Sequence, residues 1–100
     1  MQFEWDPQKA GSNRRKHGVT FEDAMHVFAD PFALCEQDRA GEGGEQRWQA
    51  VGLAGGVVLL LVAHTVREEG RDEVIRIISV RRTTRKERNR YEEIRAQDAF

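Results

Sequence analysis

The sequence predicts a small α+β domain, and three observations predict it. Two stretches near the N-terminus carry helix start and stop residues at helical spacing. The middle of the chain holds apolar runs separated by glycine-rich turns, the pattern of an antiparallel meander. The last of these runs then passes directly into a basic segment with its own helix start. Helices and strands fall in blocks rather than in strict alternation, which separates this class from doubly wound α/β folds. With 100 residues the chain is expected to form one domain, 1–100, with a modest core. Its 39% hydrophobic and 33% charged content suits a folded chain rather than a disordered one.

The elements follow in order. Residues 2–5 read as a short edge strand. Asp6-Pro7 is a helix start, with Asp as N-cap and Pro at the first helical position. That helix is expected to end at Lys16 or His17, because Gly18 is a natural stop. Thr20 and Asp23 form a capping box in its aspartate variant. Phe21, Ala24, Met25 and Phe28 then make one apolar stripe, so the second helix packs on a sheet. Asp30-Pro31 ends it. A short extended piece is expected over 32–36 and a polar, glycine-rich loop over 36–45. Residues 46–54 read as a strand with mixed faces, Gly55-Gly56 as a tight turn, and 57–65 as the central strand. A second polar turn is expected over 66–71. Val74, Ile75, Ile77, Ile78 and Val80 make the next strand, closed by Arg81 and Arg82. Thr84 and Glu87 form another capping box, which opens the terminal helix. Residues 98–100 are expected to fray.

Several function classes lack their signatures. The apolar run 57–63 is far too short to span a membrane, and charged residues from Glu4 and Asp6 onward do not resemble a signal peptide. One cysteine, Cys35, permits no internal disulfide and suits a reducing cytoplasm. There is no phosphate-binding glycine loop, CxxC pair, HExxH or serine-nucleophile elbow, and His17, His26 and His64 show no zinc spacing. No metal and no cofactor is expected.

What stands out is charge placement. Residues 71–90 carry a local charge of +5 in a chain of net charge −1. Arg76 lies inside an aliphatic strand, with Val74, Ile78 and Val80 expected on its face, so its charge must be answered by a carboxylate or a phosphate. Arg81, Arg85 and Arg88 have helix-like spacing and, with Arg82, offer planar donor forks suited to phosphate. Arg76, Arg81, Arg85 and Arg88 converge if strand and helix join at a sharp turn. The alternative is a solvated face balanced by Glu87, Glu92 and Glu93. His64, at the end of the central strand, is a proton-transfer candidate near neutral pH. Lys16 and His17 complement the C-terminus of the first helix and can extend the positive patch. A histidine and clustered cations are enough to cleave RNA through attack of its own 2′-hydroxyl. The same residues also fit a basic domain that binds an acidic peptide without catalysis, or a nucleic-acid-binding regulator.

The chain also resembles a known family. The segments FEWDPQKAGSNRRKHGVTFEDAMHVFADP at 3–31, RW at 47–48 and HTVREEGRDEVIRIISVRRTTRKERNRYEE at 64–93 are similar in order and spacing to the BrnT family of type II toxins, small ribonucleases related to RelE-like toxins. The resemblance implies a compact RelE-like β-α-α-β-β-β-α domain with an antiparallel sheet, and a cytoplasmic endoribonuclease that inhibits translation and growth. It implies neutralisation by a BrnA-like antitoxin with a DNA-binding dimerisation domain, and contact with operator DNA through that complex. The family's basic and histidine positions fall on Lys16, His17, His64, Arg67, Arg76 and Arg81. The resulting expectation is metal-independent transesterification, with His64, Arg76, Arg81 and Lys16 catalytic. His17, Arg67, Arg82, Arg85 and Arg88 would bind RNA.

Overall fold

In a computed structural model, which describes residues 1–38 and 46–98, one five-stranded sheet carries two helices on one face and a third on the other. The elements are β1 (Gln2–Glu4), α1 (Pro7–His17), α2 (Phe21–Val27), β2 (Leu34–Asp38), β3 (Arg47–Ala54), β4 (Val58–Glu69), β5 (Asp72–Arg82) and α3 (Arg85–Asp98). Strand order is β1-β5-β4-β3-β2. All neighbours are antiparallel except β1, which lies parallel to β5 with Glu4 beside Arg76.

Local chemistry sets these boundaries. Asp6 caps α1 by accepting the Gln8 N–H at 2.9 Å, and Gly18 ends it at φ 73°, a left-handed conformation open to glycine at no steric penalty. Thr20 and Asp23 exchange side-chain and backbone hydrogen bonds at 3.1 and 3.2 Å, which completes the expected capping box of α2. Gly55 and Gly56, both at positive φ, close the β3–β4 hairpin, with the Val57 N–H bonded to the Ala54 carbonyl.

The core lies between the sheet and the α1–α2 pair. Phe21, Ala24 and Val27 of α2 meet Ala50 of β3, Leu60 and Val62 of β4, and Ile75, Ile77 and Val80 of β5. Trp5 stacks edge-on against Phe21, and Phe3 packs at a tilt against Phe28, so β1 is pinned from behind by aromatic packing.

The α+β class and the helix pair are as the sequence implies, with four differences in detail. Leu34–Asp38 forms a full edge strand, so 36–38 belongs to the sheet and the order gains one strand; the rest of the loop expected over 36–45 lies outside the described residues, as do residues 99–100 of the tail expected to fray. Asp98 is the last residue of α3. β4 runs on to Glu69, which reduces the turn expected over 66–71 to Gly70 and Arg71. Residues 66–69 are exposed, so polar side chains fit a strand there, while their β5 partners Val74 and Ile75 stay buried. The last difference is a β-bulge. The register passes from Ala63↔Ser79 to His64↔Ile77, leaving Ile78 unmatched. Val80 therefore turns into the α1–α2 core instead of sharing Arg76's face.

Asn13 secures that bulged edge. Buried on α1, it accepts the Val80 N–H at 3.0 Å and donates to the Val80 carbonyl at 2.8 Å, standing in for a neighbouring strand beyond the end of β1.

Candidate functional site

The face of the sheet opposite α1 and α2 is divided in two. Strand alternation puts Glu4, Arg76, Thr65, Arg67, Leu61, Val51, Arg47 and Glu36 on it. α3 lies across the part near Leu61, Val51 and Leu34. The remainder, from β1 across β5 to the outer half of β4, has no helix over it among the described residues.

α3 is attached by polar anchors. Its first turn is held by Glu87, which accepts a two-pronged contact from Arg81 at 2.9 Å on both oxygens and the Thr84 N–H at 2.8 Å. Arg90 pairs with Glu36. Tyr91, 1% exposed, donates its hydroxyl to Asp30 at 2.6 Å. Arg95 lies over the Phe32 ring, 5.3 Å from its centre. A cleft of about 150 Å³ remains between helix and sheet, lined by Leu34, Gln49, Val51, Leu61 and Arg90. Asp30 joins the two sides: besides Tyr91 it accepts the Leu53 N–H at 2.7 Å and the Phe32 N–H at 2.9 Å. Burial alone would raise its pKa, but these hydrogen bonds outweigh burial and hold the carboxyl below its usual range.

The uncovered half carries a compact charged cluster. The Arg67 guanidinium grips Glu4 with both terminal nitrogens, the second at 3.2 Å, and also contacts Glu69 at 3.1 Å. Arg76 approaches the same Glu4 oxygen at 3.6 Å. Two cations from adjacent strands therefore converge on one carboxylate. The hydrogen bond from Arg67, aided by the charge of Arg76, holds Glu4 below its ordinary pKa despite some desolvation. The Arg76 side chain is 43% exposed and that of Arg67 49% exposed, so an incoming anion can reach both.

The sequence-derived site residues are distributed unevenly over this geometry. Arg67 and Arg76 are brought together. Arg81 lies on the same face but is committed to Glu87, which raises its pKa. Arg82, Arg85 and Arg88 are exposed where β5 passes into α3. Lys16 and His17 end α1, on the other side of the sheet from Glu4. His64 also points that way. It is 2% exposed, its ring sits edge-on to Phe28 at 4.9 Å, and its Nδ1 faces the Val62 carbonyl at 3.2 Å. Burial pushes its pKa below the ordinary histidine value, against the opposing pull of that carbonyl. The sheet thus stands between His64 and Arg76. Glu4 was not among the residues expected from sequence, because only the parallel pairing of β1 with β5 places it beside Arg76. Arg47, which lies on the same face, was marked in the sequence only within the RW segment at 47–48.

Comparisons with known proteins agree with this architecture. Residues 5–87 match the sequence model of a family described as ribonuclease toxin, BrnT, of type II toxin–antitoxin system. Among solved structures the chain is similar to the Brucella abortus ribonuclease toxin BrnT, with a TM-score of 0.58 and 22% identity over 85% of this chain and 99% of that one. No match was found among curated proteins.

Proposed function

The chain belongs to the BrnT family of type II toxin–antitoxin ribonucleases, and from that premise we propose that it cleaves RNA by metal-independent transesterification on the uncovered half of its sheet, thereby inhibiting translation and growth. The reading rests on one observation above others: Arg67 and Arg76, two half-exposed guanidinium groups on neighbouring strands, converge on a single anion-sized position. A phosphodiester entering there would meet donor forks from two sides. As the 2′-hydroxyl attacks phosphorus, charge builds on the non-bridging oxygens, and fixed cations stabilise it more than the ground state. The products are a 2′,3′-cyclic phosphate and a 5′-hydroxyl.

In this reading Arg81 is tied to Glu87 and sets the start of α3, while Arg82, Arg85 and Arg88 extend the cationic path along which RNA lies. Lys16 and His17 would take up RNA that passes around the β5 edge. A direct proton-transfer role for His64 requires its ring to leave the Phe28 contact; in place, it fills the core beside the β5 bulge. An antitoxin partner follows from the family. A BrnA-like protein covering the same cationic face would neutralise the toxin and carry it to operator DNA, and both proteins would act in the cytoplasm.

The test is cleavage of a defined RNA by the purified chain, with end-group analysis of the fragments. Arg76→Ala should lower turnover by about 10²–10³-fold while the melting temperature stays near wild type. Full activity in that folded variant would remove Arg76 from the site. Saturable, salt-sensitive binding with no cleavage by the wild type would favour a nucleic-acid-binding regulator instead.

A further inference from the structure

The cleavage proposed above needs a group that removes the 2′-hydroxyl proton, and that group must reach a phosphate held by Arg67 and Arg76. We infer that Glu4 is this general base: its carboxylate is in contact with both arginines that would hold the phosphate, on the face that RNA would approach. The inference rests on the proposed reading and names a further residue for the same site.

Three observations carry it. The first is position. Both arginines already touch the Glu4 carboxylate, so a phosphate taking their donors would sit within one hydrogen bond of it. The second is rigidity. Glu4 is in ladder register with Arg76, its neighbours Phe3 and Trp5 are packed behind it on Phe28 and Phe21, and Asp6, two residues later, caps α1. A base held this way loses little entropy in reaching its substrate. The third is access. The Glu4 side chain is 34% exposed, whereas Glu36, Glu87 and Asp30 are engaged in anchoring α3 and His64 is buried behind the sheet.

The step balances without a further reagent. The O2′–P bond forms as the 2′-proton passes to a Glu4 carboxylate oxygen. The P–O5′ bond breaks, the departing 5′-oxygen takes a proton from water, and Glu4 returns its own proton to the resulting hydroxide. Arg67 and Arg76 transfer part of their hydrogen bonding from Glu4 to the phosphate as it binds. The carboxylate is thereby released from the groups that weaken it as a base, at the moment it is needed. The charged groups around it are Arg67 and Glu69 of β4 and Arg76 of β5.

The test separates chemistry from binding. Glu4→Gln keeps the shape and removes the base. Its turnover on a defined RNA should fall by about 10²–10⁴-fold. Its affinity for the 2′-O-methylated form of that RNA, which cannot be cleaved, should be unchanged or tighter, because a competing anion is gone. The wild-type kcat/KM, which reports the free protein, should decline on the acid side below the ordinary carboxylate range, and that limb should be missing from the residual activity of the variant. Cleavage by Glu4→Gln within about tenfold of wild type, or an equal fall in cleavage and binding, would overturn the assignment. The wild-type profile tests it without any variant, since a rate with no carboxylate limb would also overturn it. If the wild type cleaves nothing, the underlying ribonuclease reading fails and this inference fails with it; cleavage that survives Glu4→Gln defeats the inference alone.

Discussion

The two faces of the sheet are covered by opposite kinds of interaction. Against α1 and α2 the packing is dry: Phe21, Val27, Leu60, Val62, Ile77 and Val80 are essentially inaccessible, and aromatic edges fill the remaining space. On the other side, α3 is joined by ion pairs, a tyrosine hydroxyl and a cation over a ring, and beyond α3 the face displays Glu4, Arg67 and Arg76. Apolar burial contributes most of the stability of a fold this size, whereas partly exposed ion pairs contribute little. The difference assigns stability to one face and leaves the other free to carry charge for binding. It also makes the comparison breakable, since substitutions on the two faces should separate folding from activity.

The largest effect is expected on the dry face. Phe21→Ala removes a fully buried ring that touches Trp5 and the sheet, and should destabilise by about 3–5 kcal/mol, read as a lower denaturant midpoint. Activity should fall only as the folded fraction falls. Asn13→Ala is next. It strips both partners from the Val80 backbone at the bulge, with an expected destabilisation of about 2–3 kcal/mol. Rapid amide exchange at Val80 in a variant that still folds would identify the mechanism as edge exposure. Stability within error of wild type would show that water replaces the side chain.

The dry face was also the more legible one. Asp6-Pro7, Gly18, the Thr20–Asp23 capping box and the Gly55-Gly56 turn are encoded by residues a few positions apart, and each of these is found; on the other face the same holds of the local Thr84–Glu87 box alone. The stripe Phe21, Ala24, Met25 and Phe28 likewise announces which face of α2 packs on the sheet, Met25 and Phe28 only partly buried. The charged face was harder to read because its interactions join residues far apart in the chain: Glu4 meets Arg67 across 63 positions, and Asp30 meets Tyr91 across 61. A bulge also reverses facing without a reliable sequence mark, so alternation carried through Ile78 placed Val80 on the wrong side. Arg76 was legible as a charge in need of an answer; that the answer is Glu4 required the β1–β5 pairing.

The middle of the range tests how α3 is attached. Tyr91→Phe removes one hydrogen bond to a carboxylate and should destabilise by about 1–2 kcal/mol. The pH dependence gives a sharper version. Asp30 has a folded-state pKa below its unfolded one, so its contribution is fully present above the ordinary aspartate range and is lost as pH falls through the depressed value. Asp30→Asn should therefore flatten the acid side of the stability profile. An unchanged profile would mean that the carboxylate is not the anchor of the helix.

The smallest expected effect concerns Arg85 and Arg88 on α3, and it discriminates most finely between the faces. Both are exposed on the helix surface and neither is one of the side chains that anchor α3, so Arg85→Ala with Arg88→Ala should leave the melting temperature unchanged. If they lie along the RNA path, affinity for a 2′-O-methylated RNA should weaken with little dependence on sequence. The slope of log affinity against log salt should become shallower by about 0.7 for each phosphate that the protein no longer neutralises. Turnover at saturating RNA should hold, because neither residue touches the scissile phosphate in the proposed arrangement. A shallower slope with constant turnover would extend the proposed RNA surface from the Glu4–Arg67–Arg76 cluster onto α3. An unaltered slope would confine it to the uncovered half of the sheet, and leave the charges of α3 to keep the helix solvated or to meet the antitoxin.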